Sequence, residues 1–119
     1  MVNADKPVFQ QIIDMIEDDI LTGVYAPDDM IISTTQISKL LGVNPTTSVK
    51  AVSILTERDI LYKKRGLGMA VTAEARALIL DKRKRQFFKK TLPEFVDYAA
   101  KIGISSAELA ALVEESTND

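Results

Sequence analysis

Residues 39–55, Lys39-Leu-Leu-Gly-Val-Asn-Pro-Thr-Thr-Ser-Val-Lys-Ala-Val-Ser-Ile-Leu55, set two helix-forming runs either side of a sharp corner. Gly42 ends the first run, because glycine tolerates the left-handed conformation that closes a helix. Asn44 can cap the second run, and Pro45 suits its first position, where the missing N–H is not needed. The first run opens at Ser33-Thr34-Thr35-Gln36, which fits a capping box: Ser at the cap and Gln three residues on. It carries Ile37, Leu40 and Leu41 on one expected face. The second run should extend to about Arg58, with Ala51, Val52 and Leu55 inward. Two short helices joined by a tight, glycine-containing turn form a helix-turn-helix.

The segments around this corner complete a recognisable plan. Pro7 can start an earlier helix in which Phe9, Ile12, Ile13, Ile16 and Ile20 recur at helical spacing and Gly23 stops the run. Its other face, with Asp14, Glu17, Asp18 and Asp19, should meet solvent. Tyr25 to Asp29 reads as a turn around Pro27. After the second corner helix, Ile60 to Arg65 and Met69 to Val71 are strand-like runs flanking Gly66-Leu67-Gly68. A helix-turn-helix followed by a small basic hairpin is a winged helix in outline.

From Thr72, a candidate cap, the chain should be helical again. Lys82 to Lys90 is a basic stretch, read first as a solvated helix face and second as a DNA contact. Phe88, Leu92, Phe95, Ala99 and Ile102 follow 4-3-4-3 spacing, a narrow apolar seam. Pro93 should kink or break that helix, and Gly103 should end it. Ser105-Ser106-Ala107-Glu108 is another capping box. The helix it opens puts Leu109, Leu112 and Val113 on one side. Such a segment is too small to build its own core, so it either packs on the first domain or pairs with a copy of itself. Self-pairing is favoured, which makes residues 73–119 a helical dimerisation segment behind a winged helix-turn-helix domain of residues 1–72. The fold class expected is mainly α with a small β-hairpin.

Composition narrows the chemistry. The 119 residues include no Cys and no His, which removes disulfides, thiolate nucleophiles, Cys or His zinc sites and imidazole acid–base catalysis. With no Gly-rich phosphate loop and no paired-acid motif, an enzyme is not expected, nor a metal or cofactor. No apolar run approaches a membrane span, and Asp5 and Lys6 lead straight into an amphipathic segment, so the expected compartment is the cytoplasm. The net charge is only −2, but it is unevenly spread. Residues 1–38 hold one base and seven acids, residues 39–72 hold six bases and two acids, and residues 73–119 hold eight of each. The positive segment is the one that contains the helix-turn-helix and hairpin, which locates a candidate phosphate-contacting surface.

Pro7-Val-Phe-Gln-Gln-Ile, Ile20-Leu-Thr-Gly-Val-Tyr-Ala-Pro27, Leu41-Gly-Val-Asn-Pro-Thr-Thr47 and Arg65-Gly-Leu-Gly68 resemble, in order and spacing, the GntR family of bacterial transcription regulators. The resemblance covers residues 6–72, and the short helical tail resembles the YtrA-like subgroup. It implies a DNA-binding winged helix, a homodimer on a palindromic operator, and autoregulation of an operon that often encodes an ABC transporter. It implies DNA contacts at Ser33, Thr34, Thr35 and Gln36 before the second helix, at Asn44, Pro45, Thr46, Thr47 and Val49 on the reading helix, and at Gly66 and Gly68 of the wing. Three positions at which the family commonly has arginine are Thr35, Pro45 and Val49 here. Ser48 stands at a usual apolar core position, and Asp59 replaces a helix-ending glycine.

Affinity without those arginines can come from phosphate contacts by Lys39, Lys50, Lys63, Lys64 and Arg65, and from backbone N–H groups near Asn44. Base reading can then use the Thr46 and Thr47 hydroxyls and methyls, with Val49 against a thymine methyl, which favours A·T-rich half-sites. Each of these residues also has a plain structural use. Thr46 and Thr47 stabilise a first turn, Gly66 and Gly68 make a tight hairpin, and Lys63 to Arg65 protect a strand edge. Ser48 is either a buried hydroxyl bonded to a carbonyl one turn back or a sign that the helix is rotated. A small-molecule effector is compatible with the sequence, lined by Phe87, Phe88, Phe95 or Tyr98, though those residues read first as core. The alternative function is a protein-interaction module that kept the winged fold and lost DNA binding.

Overall fold

The computed structural model describes residues 5–118. The chain folds as two compact units, residues 1–80 and 81–119. The first contains helices α1 (Val8–Leu21), α2 (Thr34–Leu41) and α3 (Pro45–Glu57), the hairpin strands β1 (Leu61–Lys64) and β2 (Gly68–Val71), and the beginning of α4 (Ala75–Gln86). The boundary falls inside α4. The second unit continues through a π-helical segment, Phe87–Thr91, into α5 (Leu92–Lys101) and α6 (Ser106–Ser116).

In the first unit the isoleucines of α1 build the core. Ile12, Ile13, Ile16 and Ile20 are buried with Ile37 of α2, Ala51, Val52 and Leu55 of α3, Leu61 and Val71 of the hairpin, and Ala75 and Ile79 of α4. The buried stripe of α1 is wider than its isoleucines: Glu17 is 1% exposed. The expectation that Glu17 faces solvent fails because it lies one helical turn from both Ile13 and Ile20. Pro7 is the cap residue of α1, with Val8 first in the helix, one position from the expected start. Asp14 is held by Lys6 at 2.8 Å and by the Gln10 amide at 2.9 Å.

The hairpin pairs Leu61 with Val71 and Lys64 with Gly68 in antiparallel register. The turn before α2 adds a short third rung that sequence periodicity did not suggest. Asp28 N–H donates to the Val71 carbonyl at 2.8 Å, Val71 N–H to the Asp29 carbonyl at 3.0 Å and Ile31 N–H to the Met69 carbonyl at 3.0 Å. Thr72 does not cap α4 as expected, because its hydroxyl donates to the Asp59 carbonyl at 2.6 Å and α4 begins at Ala75.

Asp59 takes the left-handed conformation, φ 63°, in which a glycine would be relaxed. It closes α3 with two bonds, Asp59 N–H to the Thr56 carbonyl and Ile60 N–H to the Leu55 carbonyl, the Schellman arrangement. Gly103, φ 87°, does the same for α5.

Of the kink or break expected at Pro93, the break does not occur. The helix runs through. Leu92 N–H reaches back five residues to the Phe87 carbonyl, and this widened turn relieves the clash between the proline ring and the carbonyl one turn earlier. Across that turn Phe88 and Leu92 stand about one widened turn apart, while Leu92, Phe95, Ala99 and Ile102 keep ordinary helical spacing. Ala99 is buried within its own unit, Leu109 is half-buried, and Phe88, Leu92, Phe95, Ile102, Leu112 and Val113 are exposed. Phe87 and Tyr98 are exposed too, so the aromatic set is not core in the single chain. Ser105 caps α6 through Glu108 N–H at 3.1 Å.

Asp59→Gly removes the strain of a side chain in a left-handed turn. The variant should be more stable by about 1 kcal/mol, read as a higher urea midpoint with unchanged slope.

Candidate nucleic-acid interface

The helix-turn-helix forms for the reasons its sequence suggests. Ser33 Oγ accepts the Gln36 N–H at 3.1 Å while Gln36 Oε1 accepts the Ser33 N–H at 3.0 Å, a complete capping box. Gly42 closes α2 at φ 64°, and Val43 N–H donates to the Ser38 carbonyl at 3.0 Å. Asn44 then caps α3, its Oδ1 accepting both the Thr46 N–H at 3.0 Å and the Thr46 hydroxyl at 2.8 Å.

These caps change what the residues can offer a ligand. The Ser33 and Gln36 side chains and Asn44 are committed to their helices. Pro45 has no N–H, and the Thr46 and Thr47 N–H groups are taken by the Asn44 side chain and carbonyl. The start of α3 is therefore a poor anion cradle, contrary to the expectation of a backbone-held phosphate. The Thr46 hydroxyl donates its hydrogen bond to Asn44 and can act toward a base as an acceptor.

Between the helices the structure resolves Ser48. It is 0% exposed, and its hydroxyl is hydrogen-bonded to that of Ser38 at 2.8 Å. Neither sequence expectation described this: the partner is not a carbonyl one turn back, and Ser48 shares the inner face with Ala51, Val52 and Leu55, so the helix is not rotated. Ser38 takes an inward place on α2, while Leu40 (72% exposed) and Leu41 point outward, correcting the apolar face expected there. In an eight-residue helix ended by Gly42, only Ile37 and Ser38 meet the core.

With that inner face fixed, α3 presents Thr46, Val49, Lys50 and Ser53 outward on a single stripe at helical spacing, all exposed. Ser53 was missed from sequence, although it sits one turn beyond Val49 and Lys50. Lys50 Nζ lies 4.0 Å from the centre of the Phe9 ring, a cation–π contact that holds it toward α1. Thr47 is half-buried. Thr35 and Lys39 are exposed on α2 and Thr34 is half-buried.

The three cations of the wing divide. Lys63 and Arg65 are exposed, whereas Lys64 donates to the Asp28 carbonyl at 3.3 Å. Tyr62 points the same way, as strand alternation requires, and its hydroxyl donates to Asp28 Oδ1 at 2.7 Å. The hydrogen bond to Asp28 raises the Tyr62 hydroxyl above the usual tyrosine value, with desolvation and the carboxylate charge acting the same way. Asp28 thus braces β1 to the turn before α2. Gly66 and Gly68, at φ 77° and 127°, form the hairpin turn. A side-chain carbon on Gly68 would come within 2.9 Å of Met30 Cε, the far end of a flexible side chain that lies against the turn. Among the described residues no His, Cys, Asp or Glu group is arranged to hold a metal, and no helix is long and apolar enough to cross a membrane.

An exposed helix stripe, a capped corner and a braced basic hairpin define a winged helix-turn-helix of the DNA-binding kind. The chain is similar over nearly its whole length to known regulators of that kind. It is 30% identical to a GntR family transcriptional regulator from Listeria monocytogenes, with 96% of this chain and 98% of that one covered and a TM-score of 0.74. It is 32% identical to a GntR family regulator from Bacteroides thetaiotaomicron, over 92% of this chain and 95% of that one, with a TM-score of 0.72. A curated relative, the HTH-type transcriptional repressor YtrA of Bacillus subtilis, is 25% identical over 116 residues, 98% of this chain and 88% of YtrA. No protein-family profile matches the sequence. The chain belongs to the GntR family of DNA-binding transcription regulators, on its YtrA-like side. That family is not one of enzymes.

The Ser38–Ser48 pair gives a sharp test of the corner. Ser48→Ala or Ser38→Ala alone leaves one buried hydroxyl without its partner and should cost about 1–2 kcal/mol. The double variant Ser38→Ala, Ser48→Val should recover most of that loss in a denaturation cycle.

Proposed function

We propose that the protein is a homodimeric repressor that binds a palindromic operator upstream of its own gene, in an operon encoding an ABC transporter. The observation that carries the reading is the pairing of the outward stripe of α3 with a positive wing, in a chain whose overall charge is negative. Residues 1–72 bind DNA and residues 73–119 pair the protomers, in the cytoplasm where the DNA lies. The relative YtrA is a repressor by name, and helix-turn-helix dimers match their twofold symmetry to palindromic half-sites.

On this reading Thr46, Val49, Lys50 and Ser53 enter the major groove. Lys39, Lys63 and Arg65 hold phosphates, and Lys64 holds the wing. Methyl groups on Thr46 and Val49 favour thymine, so the half-sites are A·T-rich. The exposed Phe88, Leu92, Phe95, Ile102, Leu112 and Val113 supply the apolar seam between protomers. Ala99, already buried in its own chain, does not. A small-molecule effector would lodge at that seam, beside Phe95 and Tyr98.

Lys63→Ala with Arg65→Ala should lower affinity for a duplex obtained by binding-site selection. It should also flatten the slope of log affinity against log salt by about two per protomer. Lys64→Ala alone should change the slope little. A variant with unchanged slope would contradict the phosphate assignment, and a protein selecting no duplex would point to the interaction module instead. Phe95→Asp should turn a sedimenting dimer into a monomer and weaken duplex binding by about 100-fold or more, because one half-site then acts alone.

A further inference from the structure

The tip of the wing carries a side chain that the fold does not require. Leu67 lies between Gly66 and Gly68, and its N–H donates to the Lys64 carbonyl at 2.9 Å. The turn is satisfied by the glycines and that bond, and polar residues suit such a position. Yet Leu67 is 69% exposed. On the β1 side of the turn stand Lys63 and Arg65, both exposed cations. The tip borders a hollow of about 190 Å³ shared with Thr34 and Val52, so it stands beside α2 and α3 of the same unit. Met30 Cε lies beside Gly68, and Asp28 is bonded to Tyr62 and Lys64 of β1. The wing therefore presents an apolar group at the tip of a braced hairpin, with two positive charges along the strand that leads to it.

We propose that Leu67 is a specificity-determining residue that rejects G·C pairs beneath the wing; this rests on the DNA-binding reading above. The two cations draw the tip toward the phosphates that border a groove. A narrow hairpin tip flanked by glycines suits the minor groove, about 6 Å wide. The floor there carries only acceptors at A·T pairs, while guanine adds its N2 amino group. Leucine offers no acceptor to that amino group. A G·C pair would bury the donor unsatisfied against the isobutyl group, whereas an A·T pair leaves a smooth floor for it to cover. The α3 stripe and Leu67 would then select A·T pairs for separate reasons, one in each groove.

Inosine separates the two grooves, because an I·C pair lacks the minor-groove amino group but matches G·C in the major groove. The full-length protein would be titrated with a selected duplex whose pairs flanking the half-site are A·T, I·C or G·C. The wild type should bind the I·C duplex within about twofold of A·T and the G·C duplex about tenfold more weakly. Leu67→Ser, which supplies a hydroxyl acceptor, should lose most of the G·C penalty while binding the A·T duplex within about fivefold of wild type. Leu67→Met should keep the penalty. Equal weakness of I·C and G·C, or a penalty unchanged in Leu67→Ser, would overturn the assignment while leaving the regulator reading intact. Equal binding to all three duplexes would overturn it in the same way, and failure of the wild type to prefer any of them over an unrelated duplex would overturn both.

Discussion

The inner face of α3 is the constraint on which the rest depends. Ser48, Ala51, Val52 and Leu55 must stay buried against α1, α2 and the hairpin, and this fixes which residues point outward. The isoleucine stripe of α1 supplies most of the opposing surface. Leu55 alone, fully buried, would cost about 3 kcal/mol or more if cut back to alanine. The Ser38–Ser48 hydrogen bond adds direction to a contact that is otherwise only apolar. Two hydroxyls that satisfy each other specify one setting of α2 against α3, where methyl groups would tolerate several. The outward stripe follows from this inner packing.

Charge is arranged on this scaffold by position more than by quantity. The family's usual arginines are absent from Thr35, Pro45 and Val49, and the cap of α3 uses the backbone donors at its start. Most of what remains positive is peripheral, Lys39 on α2 and Lys63 and Arg65 on the wing, with Lys50 on the α3 stripe leaning toward Phe9. An interface of this kind draws affinity from its edges and leaves small, mostly apolar groups at its centre. The brace through Asp28 then matters, because contacts made by a hairpin count only if the hairpin is held. One of the wing's cations, Lys64, contributes to that holding.

Much of this was legible in the residues. The capping box at Ser33, the left-handed Gly42, the Asn-Pro start of α3 and the glycine turn of the hairpin are local signals, each tied to backbone geometry within a few residues. Several of the differences involve partners distant in sequence or a change in the helical turn. The Ser38–Ser48 pair joins positions on separate helices, and the rung from Asp28 to Ile31 joins a turn to a strand far along the chain. Glu17 is buried because it lies one turn from both Ile13 and Ile20, a spacing already present in the residues. The tail misled by a different route. Pro93 is accommodated by a π turn, which the residue pattern does not announce. Leu67 was passed over because glycines on either side of it explained the turn.

The most direct test of the account is fluorescence anisotropy of the full-length protein with a duplex from upstream of its own gene, against an unrelated duplex of equal length, across a salt series. The account predicts tight binding to the upstream duplex alone, falling steeply as salt rises. Equal and weak binding to both duplexes, or none to either, would contradict it, leaving a winged helix whose outward stripe serves some other partner.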